Sequence, residues 1–194
     1  MPEISIVCGL GNPGQQYRRT RHNLGFETLD RLAGRRSLKW KRGPGPSMET
    51  TLRVGQTSVI LIKPLLYMNA SGVALGRRPV VSPAELLVIC DDMSLPLGQL
   101  RFRKGGGSGG HKGLDSIIAV LGTEGFPRLR LGIGAPPPGI DWVDYVLSDF
   151  APEERPEVDA MIDTAVEAVS EALRSGLEDA MTRYNRPAPA PGSS

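Results

Sequence analysis

Five polar side chains stand where apolar runs give way to turns: Asn12, His22, Asn69, Asp91 and His111. Asn12 follows the run Ile4 to Leu10, Asn69 follows "VILIKPLLYM", Asp91 follows "LLVIC", and His111 closes "RKGGGSGG". His22 opens a helical pattern just after the first glycine turn. A histidine with a carboxylate partner is a competent general base near neutral pH. Asparagine amides orient water or donate to an oxygen on which negative charge develops. Taken singly, each residue has an ordinary reading: Asn12 before Pro13 as a turn residue, Asn69 and Asp91 as caps, His22 as a satisfied core histidine. Their combination points to a general base supported by amides that orient water or meet a developing charge.

The glycines around these residues invite a different reading. Gly9, Gly11 and Gly14 fit G-x-G-x-x-G after an apolar run. A dinucleotide fingerprint also needs a helix starting within that turn and an acidic residue closing a second strand about 20 residues later. Pro13 biases Asn12 away from the α region, so this stretch reads as a turn. The helical pattern starts only at His22, which places Glu27 and Asp30 on the helix. The second glycine segment, "RFRKGGGSGGHKG", has five glycines within six residues, flanked by Arg101, Arg103, Lys104 and Lys112. Its backbone amides and the helix N-terminus that follows suit a phosphate. No G-K-[ST] ending is present, which excludes a nucleoside triphosphate loop.

The elements that must position these groups follow from periodicity. Strands are expected over Ile4 to Leu10, Glu49 to Val54, Ser58 to Ile62, Leu86 to Cys90, Gln99 to Arg103 and Arg128 to Ile133. Helices are expected over His22 to Arg35, with Thr20 or Asn23 as cap, shortly after Asn69, over Lys112 to Leu121, over Pro152 to Leu173, and up to Tyr184. Alternating strands and helices predict an α/β fold. The runs on either side of Gly55-Gln56-Thr57 form a hairpin, so the single twisted sheet is mixed and flanked by helices in three layers. A single domain is expected over residues 1–186, with 187–194, "RPAPAPGSS" less its first residue, as a disordered tail.

Charge is uneven along the chain. Residues 1–139 hold 19 Lys and Arg against 9 Asp and Glu, whereas 140–194 hold 4 against 12. One basic face able to hold a phosphate backbone is the implication. Cys8 and Cys90 lack a C-x-x-C partner and read as buried free thiols. With two histidines and no cluster at ligand spacing, neither a metal nor another cofactor is expected. No apolar run long enough to span a membrane and no signal peptide are evident, so a cytoplasmic protein is expected.

In order along the chain, "GLGNPGQQYRRTRHNLGF", "YMNASG", "LLVICDD", "RFRKGGGSGGHKGLDSI" and "FPRLRLGIGAP" resemble the bacterial peptidyl-tRNA hydrolase family, from about Ile4 to Asn185. The resemblance implies hydrolysis of the ester joining a peptide to the terminal ribose of tRNA, by a protein that is usually monomeric. It implies His22 as the general base, Asp91 as the group that holds and polarises it, and Asn12 and Asn69 as the amides that position carbonyl and water. Tyr17, Met68, His111 and Lys112 would border the substrate. Arg103 and Arg130 match the positions that clamp the tRNA 5′-phosphate, with Arg101, Lys104 and Arg128 nearby in sequence. The chain departs from the family pattern at Lys112, where asparagine is usual, at Ser94, where a second aspartate is usual, and in "APPPGID", which lacks a basic residue. The stretch from Asn69 to Asp91 is short for the family. The Lys112 change makes an RNA-binding relative with weakened hydrolysis the competing class.

Overall fold

In a computed structural model, which describes residues 4–76 and 82–185, the first strand sets the frame. Strand β1 (Ile6–Gly9) is buried along its whole length and pairs in parallel with both β4 (Thr57–Pro64) and β5 (Leu86–Asp92). A strand buried on both faces reads as an unbroken apolar run, as "IVCG" and "LLVIC" do. The hairpin is real: β3 (Ser47–Val54) runs antiparallel to β4, and short β2 (Lys41–Arg42) extends that edge. On the other side, β7 (Arg128–Gly132) pairs in parallel with β5, and β6 (Leu100–Arg103) closes the sheet antiparallel. The sheet is thus mixed, in the order β2-β3-β4-β1-β5-β7-β6. The β6 edge is covered by the carboxamide of Asn185, which accepts from the Phe102 N–H at 2.7 Å and donates to its carbonyl at 3.1 Å. Such cover prevents edge-to-edge pairing with another chain.

Helices cover both faces. Helix α1 (Leu24–Arg35) and α4 (Arg155–Ser175) share one apolar cluster with Val7, Leu87, Ile89, Leu129 and Phe102. Helix α2 (Lys112–Leu121) and a 3₁₀ turn, Met68–Ala74, cover Ile6, Cys8, Val88 and Cys90. The last helix, α5 (Leu177–Tyr184), follows Gly176, whose φ of 96° ends α4. Helix α4 begins at Arg155 rather than Pro152, because Pro156 occupies its first turn, where a missing N–H costs nothing. Residues 186–194, and with them the expected tail and the domain boundary at 186, lie outside the described residues.

Two short elements escaped the periodicity argument. Two-residue β2 is too brief to show alternation. Helix α3 (Trp142–Val146) is a five-residue helix behind a proline-rich stretch, and its one sequence signal is Asp141, whose carboxylate accepts from the Val143 N–H at 2.8 Å as an N-cap.

The expected caps of the first helix are corrected. A 3₁₀ turn, Arg21–Asn23, precedes α1, and neither Thr20 nor Asn23 makes a capping hydrogen bond. Each residue of that turn serves a different neighbour. Asn23 binds the backbone of Asn12, Arg21 reaches back to α3 and α4, and His22 faces the ends of the central strands. The Arg21 guanidinium lies between the rings of Tyr145 and Phe150, at 4.4 and 4.5 Å from their centroids, and is forked onto Glu154. Its backbone N–H also donates to Ser148. The wall formed by α3 is therefore tied to the turn that carries His22.

The glycines now have a packing reason. A Cβ on Gly25 would sit 2.4 Å from the Leu10 nitrogen and 2.5 Å from the Ile89 carbonyl, and one on Gly9 would meet the Gly25 carbonyl at 2.4 Å. The first turn of α1 thus rests directly on the backbone of β1 and β5. Those contacts are backbone on backbone and have no soft side chain to yield. Gly25→Ala should therefore destabilise the protein by about 1–3 kcal/mol, read as a lowered midpoint in urea unfolding, while Gly34→Ala, with open space around it, should leave the midpoint unchanged or raised.

Candidate active site

Asp91 lies one residue before the C-terminal end of β5, at the edge of the sheet where ligands of α/β folds collect. Its carboxylate is 4% exposed and accepts from two imidazoles. His22 Nδ1 is 2.9 Å from each Asp91 oxygen, and His111 Nε2 is 3.0 Å from Oδ1. The two rings lie 4.8 Å apart, centre to centre. Burial pushes the Asp91 carboxyl upward, but the attraction and hydrogen bonds of His22 and His111 outweigh it and hold the group well below the usual carboxylate range. The site therefore has a fixed anion at its centre.

The hydrogen bonds also fix the ring protons. His111 precedes α2 and caps it, its Nδ1 accepting from the N–H groups of Gly113 at 3.1 Å and Leu114 at 3.4 Å. A nitrogen that accepts carries no proton, so His111 donates to Asp91 through Nε2–H. His22 donates to the same carboxylate through Nδ1–H, and in the neutral ring this leaves the Nε2 lone pair free. His22, Asp91 and His111 offer three donor atoms within 4.8 Å of one another. His111 can ligate a metal through Nε2 only by losing that proton, which requires Nδ1 to surrender its two backbone partners. The donor set is built for hydrogen bonding. Cys90 is no nucleophile either: burial, reinforced by Asp91 and Asp92, pushes its thiol far above the usual range.

A second constellation adjoins this one through the Arg21–Asn23 turn. The Asn12 N–H donates to Asn23 Oδ1 at 2.8 Å, and Asn23 Nδ2 donates to the Asn12 carbonyl at 2.9 Å. Asn12 Oδ1 accepts from the Met68 N–H at 2.8 Å. With its oxygen engaged, the Asn12 side chain offers its NH₂ as a donor. Met68 is buried, and its sulfur packs at Gly113, beside His111: a Cβ there would lie 2.6 Å from Met68 Sδ and 3.1 Å from His111 Cε1. Tyr17 stacks edge-on against Tyr67 at 6.4 Å. Asn69 is exposed at the head of the 3₁₀ turn. Asn23, read from sequence as a cap, is the residue that locks Asn12.

His22, Asp91 and His111 form one side of a cleft of about 400 Å³. The glycine segment Gly105–Gly110 forms another side, Trp142 and Val146 a third, and Arg103 and Arg130 also face it. Lys112 is not part of the lining. Its ammonium lies on the surface of α2, 57% exposed and 4.0 Å from Asp115. The register of β6 on β7 sets Arg101 opposite Arg130 and Arg103 opposite Arg128, which puts four arginines on one face of the sheet edge. Arg101 and Arg103 are exposed and make no ion pair among the described residues. Arg130 is forked onto Asp92 and, at 2.9 Å, onto Ser94 Oγ. Ser94 Oγ in turn donates to Asp92 at 2.6 Å, so the serine at this position keeps the arginine oriented. Two expected phosphate ligands are engaged elsewhere: Lys104 pairs with Glu178 on α5, and Arg128 is 2% exposed.

With this geometry in place, the comparisons with known proteins agree. The family model described as peptidyl-tRNA hydrolase matches residues 6–191. A peptidyl-tRNA hydrolase of Fervidobacterium nodosum is 45% identical over 180 residues, covering 93% of this chain and 95% of its own. That of Aquifex aeolicus is 45% identical over 192 residues, covering 95% and 97%. The crystal structure of peptidyl-tRNA hydrolase from Acinetobacter baumannii superposes with a TM-score of 0.89 at 32% identity, covering 98% of each chain. On sequence and fold, the chain belongs to the peptidyl-tRNA hydrolase family.

Proposed function

We propose that this protein hydrolyses the ester between the peptide and the terminal ribose of peptidyl-tRNA, with His22 as general base. The observation that carries this reading is the free Nε2 of a histidine whose Nδ1–H is held by a buried carboxylate. Water at Nε2 loses its proton to the ring as its oxygen attacks the ester carbonyl. Asp91 stabilises the imidazolium that forms and keeps the tautomer correct. Charge then grows on the carbonyl oxygen, where the Asn12 NH₂ serves as donor, and Asn69 positions the substrate from the exposed start of its turn. The ribose oxygen leaves and takes a proton back from the imidazolium. His111 acts through Asp91, while Tyr17, Tyr67 and Met68 border the peptide.

The tRNA is held by charge rather than by base reading. Arg101, Arg103 and Arg130 face a polyanion that carries one phosphate per nucleotide, and contacts of that kind give affinity without sequence preference. Such contacts suit an enzyme that accepts many tRNAs. We place it in the cytoplasm, since Cys8 and Cys90 are buried free thiols, as a reducing compartment favours, and we take it as a monomer, as the family resemblance implies.

Single-turnover release of N-acetylated amino acid from tRNA tests the assignment. His22→Ala should lower the rate on the order of 10²- to 10⁴-fold and leave tRNA affinity intact; equal loss of both would remove His22 from the chemistry. Lys112→Asn should change the rate no more than a few-fold, since the Lys112 side chain is directed along α2 and away from the cleft. A protein that binds tRNA and releases nothing until Lys112→Asn restores turnover would instead be an RNA-binding relative.

The fixed charge on Asp91 has a consequence for stability. Its native carboxyl binds a proton less readily than the unfolded one, so the stabilisation is complete above the unfolded value of about 4. It is lost as pH falls from there toward the depressed native value. Urea unfolding at pH 6, 4 and 3 should show a steeper acid decline for the parent than for Asp91→Asn; parallel declines would mean that the carboxylate is not held ionised.

A further inference from the structure

Arg128 stands in the expected cluster of phosphate ligands, yet its surroundings assign it other work. It opens β7, shares a sheet face with Arg130 two residues on, and lines the cleft. Its Nη1 donates to the Gly107 carbonyl at 2.9 Å and its Nη2 to the Glu124 carbonyl at 3.2 Å. The guanidinium lies over the Phe126 ring at 4.4 Å. It is 2% exposed, and no carboxylate pairs with it among the described residues. Its Nε is buried without a partner. Burial disfavours its charge, and the Glu124 carboxylate, which attracts the guanidinium without pairing with it, does not offset that, so its position needs a reason.

The reason lies in the loop it holds. Gly105–Gly110 has three residues at positive φ, Gly106 at 125°, Gly109 at 61° and Gly110 at 84°, and glycine has little conformational preference of its own. One end of the loop is fixed by His111, whose Nε2 rests on Asp91. At the other end, the Gly106 N–H donates to the same Glu124 carbonyl that Arg128 holds, at 3.1 Å. Two nitrogens held in one rigid plane each take one carbonyl, one from the loop and one from the α2–β7 connection, whereas a lysine offers a single nitrogen whose donors are not fixed at that separation.

The geometry points to Arg128 as a positioning residue that pins the glycine loop to the α2–β7 connection and makes no contact with the substrate's phosphates. Its effect on tRNA reaches the ligand through the loop backbone, whereas Arg103 and Arg130 act directly. This inference rests on tRNA being the ligand only in its binding half. The pinning of the loop stands on the free protein.

The test has two arms. In the first, tRNA affinity is measured from 50 to 200 mM salt for the parent, Arg128→Met, Arg128→Lys and Arg103→Met. A residue that neutralises a phosphate contributes about 0.7 to 0.9 to the slope of log affinity against log salt. Arg103→Met should lose that increment. Arg128→Met should bind several-fold more weakly at every salt concentration with the slope unchanged, and Arg128→Lys should resemble it despite keeping the charge. In the second arm, amide exchange of Gly106 in the free protein should accelerate at least ~10-fold in Arg128→Lys and stay at the parent rate in Arg103→Met. A slope lowered by one contact in the Arg128 variants, or a Gly106 amide that exchanges at the parent rate, overturns the assignment. If the parent shows no salt-dependent tRNA binding, it is the functional reading that fails, and the exchange arm alone decides the role of Arg128.

Discussion

The rest of the site depends on a single buried anion. A carboxylate removed from water is tolerated only when its lone pairs are answered, and Asp91 is answered by two imidazoles that arrive from opposite directions in the chain. Each imidazole is itself the end residue of an element. His22 belongs to the turn that starts α1, and His111 caps α2. Satisfying one charge therefore docks two helix starts, on the two faces of the sheet, against the end of β5. The orientation of the proposed base and the fold rest on the same interaction, because the contact that fixes the His22 tautomer also answers the buried carboxylate.

That interaction demands a close fit of α1 on the sheet. His22 is two residues before Leu24, so its reach to Asp91 is set by how near the first turn of α1 comes to β1 and β5. Gly9 and Gly25 allow backbone to meet backbone there. The glycine pattern that imitates a dinucleotide motif is, in this chain, partly a record of helix-to-strand distance. Gly14 serves the turn instead, at a φ of 114°.

Much of this was legible in the sequence. Apolar runs long enough to cross a sheet, followed by Asn12 and Asp91, marked both the strands of a mixed sheet and the polar groups at its rim. Alternation across Gly55 revealed the hairpin. What stayed hidden was the use of side chains over long separations. Asn23 has the composition of a cap and instead binds the Asn12 backbone 11 residues away. Nothing in local pattern distinguishes the two uses, because both satisfy backbone groups with the same carboxamide. Arg21 carries the same lesson, since its partners Tyr145, Phe150 and Glu154 all lie more than 120 residues away. Charge density also misleads at close range. Lys104, Arg128 and Arg130 look equivalent in sequence, yet one pairs with α5, one is buried, and one faces the cleft.

The division among those cations follows from strand register. Cross-strand partners of like charge repel, and β6 against β7 sets two such pairs side by side. The sheet edge can hold four arginines only if some are neutralised or withdrawn from one another. Asp92 and Ser94 engage Arg130, the loop carbonyls draw Arg128 inward, and Arg101 and Arg103 are left to water. Relief of repulsion thus withdraws Arg128, orients Arg130 and leaves Arg101 and Arg103 exposed. Arg103 has no carboxylate partner among the described residues, and it lines the same cleft as His22. The proposed binding and hydrolysis thus fall on separate residues: the unpaired arginines lie along the sheet edge, and the proposed base stands at the end of β5.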